Sequence, residues 1–143
     1  MSKRTSIVKA LADKLKEING NAPYSVDLYN NSFNKLKFWD EVTDFPCVYV
    51  TPGSEVREYL PSDFKWGFLG VSIKAYCKGD DSQTQLESLL QDLETCIDNN
   101  RVLQYDGSNE TTEILITSIT TDEGLLDPYA IGEINLQVRY QVP

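Results

Sequence analysis

The sequence predicts an α+β fold in which two helices pack on one face of a mixed, mostly antiparallel sheet. Two adjacent stretches carry this prediction. Residues 66–78 alternate apolar and polar side chains from Leu69 to Cys77, which is typical of a half-buried strand. After a break at Gly79, apolar residues recur at helical spacing, namely Leu86, Leu89, Leu90, Leu93, Cys96 and Ile97. A strand that leads into an amphipathic helix is the core unit of such a fold, and we expect a single domain over residues 1–143.

The chain before this unit predicts one helix, three strands and a long loop. Residues 5–19 carry an apolar helical stripe that ends at Gly20. A short strand over 24–28 is followed by an irregular loop over 29–45, between the first and second strands. Residues 47–51 and 55–60 then read as a hairpin with a type II turn at Pro52-Gly53.

The chain after it predicts two further strands. Ser82 and Gln85 have the spacing of a capping box at the start of the second helix. A polar connection with a turn at Asp106-Gly107 covers 101–109, a β-prone run covers 113–121, and the last strand alternates from Ile134 to Tyr140.

Composition limits the functional classes. The 143 residues contain no apolar run of membrane-spanning length and no signal-peptide core, so we expect synthesis in the cytoplasm. The cysteines are odd in number (Cys47, Cys77 and Cys96), and we expect them to be reduced core residues. A formal net charge of −9 disfavours tight nucleic-acid binding through a basic patch.

The sequence offers no catalytic centre. The absence of histidine excludes Ser-His-Asp and Cys-His catalysis and histidine metal sites, and both common glycine-rich nucleotide motifs are absent. Asp80-Asp81 and Asp122-Glu123 would suit a hard cation if they met, but a helix N-terminus and a turn explain them more simply. We predict no catalytic residue, cofactor or metal, and a small enzyme or adaptor is the least favoured alternative.

Aromatic side chains concentrate in the long loop and around the exit of the predicted hairpin. Such residues either cap the core or dock on a partner, and interfaces are enriched in them. The sequence therefore predicts an interface for subunit or partner contacts that contains Phe33, Phe38, Trp39, Tyr59, Phe64 and Trp66.

Three stretches together resemble the tail terminator proteins of long-tailed bacteriophages with flexible tails. They are the first helix with Ala22-Pro23-Tyr24-Ser25-Val26-Asp27-Leu28, the run Phe45-Pro46-Cys47-Val48-Tyr49-Val50-Thr51-Pro52-Gly53-Ser54-Glu55, and the long strand with Tyr76 followed by Asp80-Asp81 and a helix. The resemblance implies no active-site residues.

The resemblance implies a structural role in the virion, after assembly in the host cytoplasm. A ring, most simply a hexamer, would cap the head-proximal end of the tail tube, stop growth of the tube and offer a docking face to the head connector. DNA would pass through the ring without specific binding, and negative charge would keep the lining from holding it. A head–tail joining or tail-completion protein is the structural alternative.

Overall fold

The computed structural model describes residues 2–143. Its centre is a five-stranded sheet with the order β1-β2-β3-β7-β6, in which β1 and β2 are parallel and the other pairs are antiparallel. The elements in chain order are α1 (Lys3–Leu15), β1 (Ser32–Phe33), β2 (Cys47–Leu60), β3 (Phe64–Lys78), α2 (Ser82–Asp98), β4 (Gln104–Asp106), β5 (Asn109–Glu110), β6 (Glu113–Thr121) and β7 (Tyr129–Val142). The α+β prediction is confirmed.

Both helices pack on one face of the sheet, as predicted. The apolar stripe of α2 is buried, and so is the helix-facing row of β3 from Leu69 to Cys77. Val48 and Val50 of β2 join the same cluster, together with the inward-facing residues of β7 from Ile134 to Val142. The alternation in β3 and β7 thus comes from burial of one face.

The opposite face of the sheet is partly covered by residues 34–46, the segment that joins β1 to β2. A second apolar cluster forms there around Cys47, Tyr49 and Tyr76, whose side chains point away from the helices. Phe33, Trp39 and Phe45 pack against it. The sheet therefore has two apolar layers at this end.

One strand, not a hairpin, runs through Pro52 and Gly53. β2 pairs with β3 on both sides of this position, and the register shifts between Pro52 and Glu55. A bulge tolerates proline because it interrupts the ladder, so the predicted type II turn is wrong. The true hairpin turn lies at Pro61 to Asp63, where Ser62 and Asp63 adopt left-handed conformations with φ of 70° and 59°.

Four other local predictions need correction. Residues 24–28 form only an isolated bridge between Asn19 and Asp27, not a strand. Helix α1 ends at Leu15, four residues earlier than predicted. Asp81 is the N-cap of α2 and makes no side-chain capping bond, so the Ser82–Gln85 capping box does not form. The polar connection after α2 contains the small hairpin β4–β5, although its turn does fall at Gly107.

Within residues 2–143, neither helix has the length and apolarity needed to span a bilayer.

Candidate assembly interface

The strands define two ends of the molecule. The start of β2 lies beside the end of β3 and the start of β7, because Cys47 pairs with Tyr76 and Lys78 pairs with Tyr129. We call this the loop end, since the 34–46 segment packs there. The turn between β2 and β3 marks the other end, which we call the hairpin end.

At the loop end, two of the predicted interface residues are packed and one is exposed. The ring of Phe33 stacks on Tyr49 with 5.2 Å between centroids, and Trp39 lies 5.1 Å from Tyr129. Tyr76 fixes the segment by donating a 2.7 Å hydrogen bond from its hydroxyl to the Lys37 carbonyl. Phe38 points outward and is 57% exposed. The segment thus caps the sheet and leaves one aromatic side chain exposed.

At the hairpin end, the registers place Phe64 and Trp66 on the face of the sheet away from the helices and Tyr59 on the helix side. Phe64 and Trp66 pack edge to face with 4.9 Å between ring centroids. The guanidinium of Arg139, on the neighbouring strand β7, lies 4.8 Å from the Trp66 ring centroid. Tyr59 is 70% exposed, and the Lys65 ammonium lies 5.5 Å from its ring centroid. These rings are held by neighbours within the chain while part of their surface remains accessible.

A buried carboxylate fixes the point where the hairpin leaves the body. Glu55 follows the bulge, and its carboxylate accepts 2.7 Å hydrogen bonds from the Tyr140 hydroxyl and from Nε of Arg57. Arg4 of α1 lies 4.0 Å from the same carboxylate and donates to the Gly53 carbonyl. Burial, followed by the bond to Glu55, raises the pKa of Tyr140 to about 12. The cluster ties β2, β7 and α1 together at the base of the hairpin.

Both edges of the sheet offer unpaired backbone. β1 pairs with β2 only at Val48 and Tyr49. No other strand pairs with this edge of β2 from Val50 to Leu60. At the opposite edge, β6 pairs with β7 alone. Residues 114–121 of β6 contain no charged side chain. Exposed strand edges are usually protected by charge, proline or a cover, and residues 114–121 contain neither charge nor proline.

The charged residues in and around α2 are all acidic. Residues 79–100, which include α2, contain six Asp or Glu and no Lys or Arg. Four of these acids are exposed and Glu94 is half-buried, whereas Asp92 is buried and accepts hydrogen bonds from the backbone N–H groups of Ser25 and Val26. The charges on the solvent face of α2 are therefore all negative.

The candidate cation ligands serve the local fold. Asp122 accepts backbone N–H bonds from Ile131 and Leu126 and shapes the turn before β7. Burial alone would raise the pKa of Asp122, but these bonds outweigh it and lower the pKa. Within residues 2–143 no three potential ligand side chains come together to hold a metal ion.

The cysteines are unsuited to nucleophilic chemistry. Cys47 and Cys77 are free and buried, and burial raises the pKa of each thiol to about 12. A thiol with that pKa is protonated at neutral pH, whereas the thiolate is the nucleophile. The predicted role of the cysteines as reduced core residues agrees with this environment.

Comparison with known proteins identifies the family. A match to the family described as Bacteriophage Tail Tube Terminator Protein spans residues 1–143. The chain belongs to this family. It is 43% identical to the tail tube terminator protein p142 of Escherichia phage T5 over 155 aligned residues, which cover 100% of this chain and 96% of the relative.

A structural comparison supports the same fold. A chain from the structure of the virion of a native gene transfer agent particle superposes with a TM-score of 0.64, over 99% of this chain and 100% of that one. Since its sequence identity is 8%, the likeness concerns the fold alone. The predicted resemblance to tail terminators is confirmed, and this phage tail terminator is a structural protein of the virion.

The sequence missed the edge residues that the structure brings out. Val56, Leu60, Leu115 and Ile119 are exposed apolar residues on the two free strands. The uncharged run over 114–121 was a signal for β6, because an edge strand of that composition lacks protection. Val56 and Leu60 gave no comparable signal, because residues 55–60 were predicted to form the second strand of a short hairpin.

Proposed function

We propose that this terminator forms a closed ring, with six subunits as the simplest expectation, on the head-proximal end of the tail tube. The ring ends polymerisation of the tube and offers its other face to the head connector. Membership of the tail tube terminator family over the whole chain carries the proposal. The role is structural and not enzymatic, in keeping with buried, protonated thiols and the lack of histidine.

The division of exposed groups between edges and ends supports a ring with axial partners. A ring needs two different surfaces on each subunit that join head to tail. The two free strand edges lie on opposite sides of the sheet and suit that contact. The two ends of the strands remain for axial partners, and Phe38 with Leu36 is exposed at the loop end.

The predicted interface residues accordingly receive different roles in the proposal. Phe38 is assigned to an axial contact, with the tube or the connector. Tyr59, Phe64 and Trp66 are assigned to a contact between subunits. Phe33 and Trp39 act indirectly, because they hold the segment that presents Phe38.

The acidic face of α2 suits a surface along which DNA passes without binding. Phosphates are repelled by exposed carboxylates, and no basic residue interrupts residues 79–100. This assignment places α2 towards the lumen of the ring.

The deciding experiment is tube growth in the presence of purified protein. Tube protein of the same phage is polymerised with and without the chain, and lengths are measured by negative-stain electron microscopy. We expect elongation to stop and a ring to appear at one end of the tube. In tubes that grow from a tail tip, a label on the tip shows whether the ring lies at the opposite, head-proximal end. Unchanged elongation at a molar excess over tube ends would refute the function.

Variants then separate the contacts. Phe38→Ala should weaken capping or connector attachment, whereas Leu125→Ala provides a control at another exposed apolar position. Equal effects of the two substitutions would remove Phe38 from the contact.

A further inference from the structure

Five of the ten large hydrophobic side chains exposed in residues 2–143 lie on the two free strands of the sheet. They are Val56, Tyr59 and Leu60 on β2 and Leu115 and Ile119 on β6. Each strand also has backbone N–H and C=O groups without a partner strand along that edge. Apolar side chains beside unpaired backbone are the features of a surface that receives another strand.

We infer that β6 of one subunit adds to the hairpin part of β2 in the next subunit, so that neighbouring copies share one antiparallel sheet. The inference rests on the proposed ring and names the surface that builds it. The occupant of each edge is a second copy of this chain, because each copy supplies both edges.

Strand polarity allows this addition in a head-to-tail ring. β2 is antiparallel to β3, β3 to β7, and β7 to β6, so β6 runs opposite to β2. When the next copy keeps the same strand direction, its β2 therefore lies antiparallel to β6. The alternation of the sheet continues across the boundary without a parallel pair.

The strand β1 forces a stagger between neighbours. Following the registers across the sheet, Thr121 at the end of β6 lies level with Val48 of β2, where β1 already occupies the edge. An incoming β6 must shift towards the hairpin end to avoid β1. A shift of six residues places it wholly beyond the Pro52 bulge, opposite Glu55 to Leu60.

That register also keeps each side chain on its proper face. Allowing for the irregularity between Ile116 and Ser118, it sets Thr120 opposite Val56, Ser118 opposite Glu58 and Leu115 opposite Leu60. These side chains all lie on the face away from the helices. On the helix side, Ile119 meets Arg57 and Ile116 meets Tyr59. A shift by an odd number of residues would reverse the faces, and six is the smallest even shift that clears the bulge after Pro52.

The stagger agrees with closure of a ring. Six residues at about 3.3 Å each give an offset of about 20 Å along the strands. Four strands per copy at about 4.8 Å give a lateral repeat of about 19 Å. The strands are then inclined at about 45° to the ring axis, which matches the upper end of the tilt of about 35–45° in closed β-barrels.

Paired cysteines test the register. Glu58→Cys and Ser118→Cys in one chain place two thiols on opposite edges of the same subunit but opposite each other between subunits, at the short Cβ separation of facing residues. The native cysteines are buried and provide a low background. The protein is bound to tail tubes, recovered with them, treated with mild oxidant or a short bis-maleimide, and analysed on a denaturing gel.

We expect the double variant to give a ladder of covalent oligomers that ends at one closed species. Each single variant should remain monomeric, and a mixture of the two single variants should stop at dimers. Dimers from Ser118→Cys alone would show symmetric β6–β6 pairing and overturn the inference. Val56→Cys with Thr120→Cys is a second opposed pair, available should the first variant fail to fold.

The two proposals fail differently. If the wild-type chain does not bind tube ends, the proposed function is wrong. If tube-bound double variants of both pairs give no covalent oligomers, the ring is built through other surfaces and only the edge pairing is wrong.

Discussion

The buried carboxylate of Asp92 provides the sharpest test of how α2 is joined to residues 24–28. Asp92 lies in α2 and is 3% exposed. Its oxygens accept the backbone N–H of Val26 at 2.8 Å and that of Ser25 at 3.0 Å. Residues 24–28 form no ladder with the sheet, so these two bonds supply what a strand partner would otherwise provide.

Replacing Asp92 by alanine leaves two N–H groups without their charged acceptor. A hydrogen bond to a charged group contributes about 1.5–3 kcal/mol, and both donors are partly or fully shielded from water, so we expect a loss of about 3–5 kcal/mol in the free energy of unfolding. Asp92→Asn keeps one acceptor oxygen but turns an amide N–H₂ towards the donors, and should lose about half as much. Domains of this kind are stable by about 5–15 kcal/mol, so the effect is large.

Urea unfolding followed by circular dichroism measures the loss. Asp98→Ala removes an exposed carboxylate from the same helix and should change stability by less than about 0.5 kcal/mol. Hydrogen exchange at the Val26 amide gives a local readout, which should accelerate in Asp92→Ala. A change in Asp92→Ala no larger than in Asp98→Ala would refute the reasoning.

Three further predictions concern the sheet. Gly67→Ala should destabilise by about 1–3 kcal/mol in thermal or urea unfolding, because the new Cβ would lie 2.7 Å from a ring atom of Tyr140 and 2.8 Å from Val142. Tyr140→Phe should reduce the loss of stability between pH 10 and 12, because the raised pKa of Tyr140 favours the protonated phenol in the folded state. The stabilisation by Tyr140 is present below the ordinary tyrosine pKa and is lost as pH rises through about 12. The slope of this loss is up to about 1.4 kcal/mol per pH unit. Trp39→Ala should cost about 2 kcal/mol and change the near-ultraviolet spectrum, because the half-buried ring packs on Tyr129; an unchanged spectrum would contradict that packing.

The elements with one buried face could be predicted from the sequence. β3, α2 and β7 each repeat the period of their structure over several residues, β6 is a run of β-prone residues, and the structure places all four as expected. Asp92 was detectable in principle, since it occupies a position three residues after Leu89 and four before Cys96, inside the apolar stripe. A carboxylate there requires a partner, but nothing in the sequence names Ser25 and Val26 as that partner.

The proline and glycine of β2 show where local signals fail. Pro52-Gly53 is a strong turn signal, yet pairing with β3 before and after it outweighs the local preference and leaves a bulge. The 34–46 segment was harder still. Its aromatic residues fit both a cap and a docking arm, and the choice depends on whether the outer face of β2 and β3 offers Tyr49 and Tyr76 as a platform.

The same bulge explains how one strand serves two purposes. Before it, Val48 and Val50 belong to the core, and Cys47 and Tyr49 support the loop segment. After it, Glu55 is held by Tyr140 and Arg57, and the strand continues as an exposed edge. Because the register changes at this point, the outer part is set by the Glu55 cluster while the inner part is set by core packing. A subunit that must fold alone and then join neighbours benefits from this separation, since the part of β2 from Val56 to Leu60 contains no residue of the buried core.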